Sequence, residues 1–231
     1  MRKLNIFLIL LLSALLVISG YMIWKEVSLQ QKEKNEFDKI IEIVENTEKT
    51  TDLETHTDDK TGDESKTVET VQSRNLNPLF EMNSDCVGWI YIEGTNINYP
   101  VMHTPNSPQK YLRKNFNGEY SQSGVPFVDA RCSVDGGTVI LYGHNMKNGT
   151  QFSDLKKYLS TDFSNTHKSI EFQTKAGVRI YTVIDVKKTD IYDEIYNQIN
   201  PQDDTLILST CYGSAKSDRL IVIAKEAKAN A

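Results

Sequence analysis

Cysteine and histidine are scarce in this chain, and basic runs are missing from it. Three cysteines, Cys86, Cys132 and Cys211, are spread over 231 residues with no C-x-x-C pair and no His/Cys cluster, which argues against a structural zinc site. Their odd number leaves at least one free thiol, whether or not Cys86 and Cys132 pair. The formal charge is −5 and Lys and Arg nowhere bunch, which speaks against a nucleic-acid partner. Beyond about residue 75 there are no long helical patterns, so an alternating β-α architecture is excluded there.

Charge is absent altogether from "LNIFLILLLSALLVISGYMIW", residues 4–24, a run long enough to cross a bilayer as a helix. A cleavable signal peptide has a shorter apolar region that ends in small residues at A-x-A spacing. Here the run continues to Trp24, and its small pair, Ser19-Gly20, follows Ile18. Residues 1–25 are therefore read as a cytoplasmic tip and an uncleaved signal anchor, giving a single-pass membrane protein. Lys25, Lys32 and Lys34 weaken the positive-inside bias, but little precedes residue 4, so the expectation is an N-terminus inside and the remainder outside the cell.

Residues 26–75 are expected to be a juxtamembrane helix and an acidic stalk. Phe37, Ile40, Ile41 and Val44 stand at helical spacing within 28–44. Residues 45–70 carry nine acidic and three basic side chains and hardly a large apolar one, a composition that cannot bury enough surface to fold.

From about residue 76 to 231 the texture is that of a folded domain. Eight short runs rich in Val, Ile, Tyr and Thr, at 88–94, 97–103, 124–130, 137–145, 168–174, 177–188, 205–211 and 219–226, alternate with turn residues. Eight strands with only short helices predict an antiparallel β-barrel or sandwich. "GTQFSDLKKYLS" (149–160) spaces Phe152, Leu155 and Leu159 as an amphipathic helix, with Thr150 as its cap. Asn148-Gly149-Thr150 also fits a glycosylation acceptor, but reads better as the turn feeding that helix. Trp89, Tyr91 and Tyr142 read as packing residues.

The stretch "TLILSTCYGSAKSDRL" (205–220) carries the chemistry. If its two apolar ends form a hairpin, Cys211 at the end of one strand and Arg219 at the start of the next share one rim. A cysteine attacks as the thiolate, which a nearby cation favours, and a guanidinium can hold an oxyanion. Ser209 and Thr210 flank the thiol, either as ordinary strand residues or as part of a substrate groove. A proton shuttle is still needed. His56 falls in the stalk and His167 in a polar turn; His144, behind a glycine at the end of a strand, stands ahead of His103.

"LSTC" at 208–211, Arg219, "LYGHNMKNGTQFSDLKKYL" at 141–159, "VGWIYIEGTNINYPV" at 87–101 and "YLRKNFNGEYSQSGVPFVD" at 111–129 together resemble a class B sortase. The resemblance covers most of 80–226. It implies a membrane-anchored cysteine transpeptidase of Gram-positive bacteria on an eight-stranded β-barrel, with His144, Cys211 and Arg219 as catalytic residues and no cofactor or metal. Its partners would be secreted proteins with a C-terminal sorting motif, and an acceptor amine on a peptidoglycan precursor or on a pilin lysine. Two features depart from the family: Ile207 stands where T-L-x-T-C has its first Thr, and only residues 189–204 occupy the place of a long helical insertion.

Rival readings are a plain cysteine protease, an L,D-transpeptidase and a non-enzymatic membrane-tethered binding domain. Papain-like enzymes place the nucleophilic Cys before His and need a helical domain, whereas here His144 precedes Cys211 in an all-β pattern; the His-Gly-Cys context of L,D-transpeptidases is absent.

Overall fold

The computed structural model describes residues 2–54 and 73–227. The chain divides into two compact units, residues 1–39 and 40–231. Helix α1 (Arg2–Glu54) supplies the first unit and runs on into the second. Its most apolar 18-residue window has a mean hydropathy of 2.7 and buries nothing, as expected of a segment that can cross a bilayer. The helix extends ten residues into the acidic segment, through Glu54, farther than composition suggests, because a helix pairs its backbone groups within itself. The remainder of the expected stalk, residues 55–72, lies outside the described residues.

All eight strands form in the second unit: β1 (Cys86–Tyr91), β2 (Asn98–Met102), β3 (Phe127–Val128), β4 (Val139–Tyr142), β5 (Ser169–Thr174), β6 (Gly177–Asp190), β7 (Thr205–Cys211) and β8 (Asp218–Glu226). They close a barrel in the order β1-β2-β3-β4-β7-β8-β6-β5, with β5 returning to pair with β1. Closure removes the unpaired edges that invite association with other chains. The barrel is mixed rather than antiparallel, because β2 pairs with β3, and β4 with β7, in parallel. Alternation of apolar residues reports that a strand forms but not its direction, which long connections decide.

Every strand contributes buried residues: Ile90, Val101, Val128, Leu141, Phe172, Tyr181, Leu208 and Val222 are all 2% exposed or less. Ile207 belongs to this packing. It is 2% exposed and pairs with Ile140 on one side and Ile223 on the other, so three isoleucines form a row across β4, β7 and β8. The expected amphipathic helix is a 3₁₀ helix, Phe152–Leu159, followed by α2 (Thr161–Thr166). Thr150 does not cap it. The cap position falls on Gln151, without a side-chain hydrogen bond, while the Thr150 hydroxyl donates to Asn148 Oδ1 at 2.7 Å within the preceding turn.

Gly88 marks a close interstrand approach. A Cβ there would lie 2.2 Å from the Gln173 carbonyl oxygen of β5, a backbone atom that cannot move aside alone. Gly88→Ala should therefore destabilise the barrel by about 1–3 kcal/mol, the usual cost of overpacking, measured as a lowered midpoint in urea.

Candidate active site

Strand direction assembles the site. β4 and β7 run parallel with Tyr142 opposite Ser209, so His144 and Cys211 each lie two residues beyond that pair, at the same rim. β7 and β8 run antiparallel, with Cys211 directly opposite Arg219. Histidine, cysteine and arginine thus stand in a row at the ends of three adjacent strands, whose spacing is about 4.8 Å. Further bonds carry the β4–β7 ladder past the strand ends. Gly143 N–H donates to Ser209 O at 3.2 Å, Thr210 Oγ1 to Gly143 O at 2.8 Å, and Asn145 Nδ2 to Cys211 O at 2.8 Å.

The row borders a cleft of about 600 Å³, whose lining includes Leu112, Tyr142, His144, Tyr196, Cys211 and Arg219. Cys211 is exposed, whereas Cys86 and Cys132 are buried, and all three are free thiols. Burial pushes the Cys86 thiol up to about 12 and raises Cys132 in the same way, so neither is a nucleophile near neutral pH.

His144 Nε2 lies 2.9 Å from the Leu112 carbonyl oxygen. A carbonyl only accepts, so Nε2 carries the proton in this contact and a neutral ring keeps its lone pair at Nδ1. His103 does not line the cleft; burial pushes its pKa down, against the backbone carbonyls of Asp129 and Ala130. His167 stacks on Phe163 at 4.1 Å between ring centres, and His56 lies outside the described residues. Ser209 and Thr210 border the cleft, yet both are buried, and the Ser209 hydroxyl is engaged by Tyr196 Oη at 2.7 Å. Gly143, before His144, leaves room for the Phe152 ring, which would meet a Cβ at 2.5 Å.

Residues 90–227 match the sortase domain family. The chain belongs to the sortase family. It is 37% identical over 123 residues to sortase B of Listeria monocytogenes, a match covering 51% of this chain and 49% of that protein. Against sortase B of Staphylococcus aureus it is 30% identical over 185 residues, covering 65% of this chain and 75% of the relative. The X-ray structure of Clostridium perfringens sortase B superposes with a TM-score of 0.61 at 26% identity, over 67% of this chain and all of that one. These relatives place the chain in class B, although the match spans about half the length of the Listeria protein.

In this sortase the short 189–204 segment still forms part of the cleft wall. Asp193 caps a 3₁₀ turn, Glu194–Asn197, by accepting from Ile195 N–H at 3.0 Å, and pairs with Lys187 at 2.5 Å. Lys187, the Thr189 hydroxyl and that N–H hold the Asp193 carboxyl down to about 2. The pinned turn delivers Ile191, Tyr196 and Asn197 to the cleft.

The adjoining part of the wall was not legible as a site in the sequence. Arg131 grips Asp129 with both prongs, Nε to Oδ1 at 2.9 Å and Nη2 to Oδ2 at 2.8 Å. Tyr142 Oη donates to Asp129 Oδ2 at 2.9 Å, and Arg131 Nη2 also reaches the Tyr196 carbonyl at 2.9 Å. Only the D-x-R spacing of 129–131 hinted at this pair.

Burial raises the Asp129 pKa, but the hydrogen bonds from Arg131 and Tyr142 outweigh it and hold the carboxyl below the usual range. A depressed carboxyl contributes stability that is complete above the unfolded value of about 3.9 and is lost as pH falls through the folded value. Asp129→Asn should therefore cost about 1–3 kcal/mol at pH 7 and flatten the loss of stability between pH ~5 and ~2, read from denaturant midpoints across that range.

Proposed function

We propose that this sortase is a cysteine transpeptidase that cleaves a sorting motif near the C-terminus of secreted proteins and joins them to an amine of a peptidoglycan precursor. The observation that carries the reading is the exposed Cys211, in register with Arg219 and beside a cleft that His144 also lines. Cys211 passes its proton to His144 Nδ1, and Sγ, now a thiolate, attacks the scissile carbonyl carbon. The carbonyl electrons move to oxygen, and Arg219 holds the resulting oxyanion. Arg219 Nη1 is already spent on the carbonyls of Lys216 and Asp218, at 2.8 and 2.9 Å, which leaves Nε and Nη2 for this task.

Collapse of the intermediate breaks the C–N bond, and His144 gives its proton to the departing amine, leaving a thioester on Cys211. The acceptor amine then attacks the thioester and loses a proton to His144. The C–S bond breaks, and an amide and free Cys211 result. We place α1 across the membrane with the barrel outside the cell, where secreted substrate and cell-wall precursor meet; the mean hydropathy of 2.7 supports the span.

The test incubates the full chain in detergent with a panel of sorting-type peptides, with and without a glycine-type or lysine-type amine, and follows intact mass. An adduct on Cys211 that moves to the amine establishes transpeptidation, and the amine that accepts it separates cell-wall anchoring from pilin assembly. Transfer to water alone makes the protein a protease. No adduct or product from any peptide, with the fold intact, counts against the reading. Cys211→Ala should abolish adduct and product, whereas a tethered binding domain would keep its function. Arg219→Lys should lower kcat about 10²–10³-fold, the usual loss for one oxyanion donor.

A further inference from the structure

Gln151 combines three features that ordinary packing does not explain. Its backbone sits at φ 57°, ψ −132°, and among the described residues it is the non-glycine residue with a positive φ. It is fully buried, and its Oε1 has no hydrogen-bond partner among the described residues. Strained and under-satisfied residues of this kind persist only where the surroundings over-determine them, and they gather at functional sites.

The surroundings of Gln151 lead to His144 by two routes. Along the backbone, its N–H donates to Tyr99 Oη at 3.1 Å. It also bridges to Asn145, and its conformation turns the next N–H, that of Phe152, back onto the His144 carbonyl at 2.9 Å. Along the side chain, Nε2 donates to the Gly124 carbonyl at 3.2 Å. Gly124 has φ +60° and lies so close to the 111–112 peptide that a Cβ would meet Leu112 O at 2.8 Å. Leu112 O is the atom against which His144 Nε2 rests, at 2.9 Å. The backbone of Gln151 therefore fixes where His144 starts, and its side chain fixes the segment that fixes the ring.

We propose that Gln151 is a positioning residue that sets the imidazole of His144 toward Cys211. It touches neither the thiol nor a substrate; it acts through the Gly124 and Leu112 carbonyls. The inference rests on the reading of His144 as the proton-transfer residue.

The test is the pH profile of iodoacetamide alkylation at Cys211, located by peptide mass, on the full chain in detergent. The buried Cys86 and Cys132 serve as internal controls for folding. Gln151→Met keeps the size of the side chain and removes its donor. The expected result is a folded protein whose alkylation at pH 7 drops about tenfold and whose profile coincides with that of His144→Ala. Gln151→Glu, whose carboxyl stays protonated at full burial and can still donate to Gly124 O, should restore the wild-type profile. It also decides the matter should the Met variant fail to fold. A wild-type profile in Gln151→Met, or a His144→Ala profile in folded Gln151→Glu, overturns the proposal while leaving the role of His144 intact. If His144→Ala itself matches the wild type, the reading of His144 falls and the role of Gln151 with it.

Discussion

The parallel pairing of β4 with β7 is the constraint on which the site depends. Antiparallel neighbours can be joined by a two-residue turn, but parallel ones require the chain to travel back to the starting end before the second strand begins. Everything between Tyr142 and Thr205 makes that return: the 3₁₀ helix, α2, β5, β6 and the turn at Glu194–Asn197. Because the two strands run the same way, residues equally far beyond a matched pair remain neighbours, and that brings His144 beside Cys211. The short antiparallel link to β8 then adds Arg219. A slip of one residue in β7 would turn Cys211 to the opposite face of the sheet. It would also draw Ile207 from its row with Ile140 and Ile223. The same register thus serves packing and chemistry, and an isoleucine at that position strengthens the packing side.

The two arginines that line the cleft differ in what they have left to offer. Arg131 is engaged by both oxygens of Asp129 and by the Tyr196 carbonyl, so its charge is matched and its planar fork is occupied. Its work is architectural: through Asp129 it reaches Tyr142, and through Tyr196 it reaches Ser209, two residues before the thiol. Arg219 makes its hydrogen bonds to backbone carbonyls, which orient the guanidinium without cancelling its charge. A positive group therefore remains at the rim where negative charge would develop. Asp193 does the comparable structural work on the 189–204 side, where a capped and ion-paired turn is enough to bring Tyr196 over Ser209.

Strand positions were legible in the sequence because period-two alternation is a local signal, and all eight strands lie where it occurs. Strand direction is non-local, which is why the two parallel ladders were not foreseen. The thiol and the guanidinium were readable for a related reason: only a short turn separates them, so the hairpin could be inferred from that segment alone. Thr150 misled because a hydroxyl ahead of an amphipathic run is the ordinary cap signature, while the bond it makes is to Asn148 in its own turn. Asp129, Arg131 and Tyr196 left little trace, since their roles arise from contacts between β3, β4 and the 189–204 segment that no sequence period records. Gln151 left none, because nothing in a sequence marks a non-glycine residue that will be held at positive φ.

The three thiols show how one side chain is given different chemistry by placement alone. Cys86 begins β1 at 2% exposure, with its sulfur 3.7 Å from the Gly88 carbonyl; burial there opposes ionisation strongly enough to move it to about 12. Cys132 is similarly enclosed, beside a carboxylate that disfavours a second negative charge. Cys211 ends a strand in which each of the six preceding residues is buried, and is itself exposed. A strand that is core up to its last residue holds that residue's backbone rigidly while leaving its side chain accessible. The combination meets the requirement for a nucleophile that must hold its geometry against a bound peptide, and neither buried thiol could meet it without opening the barrel.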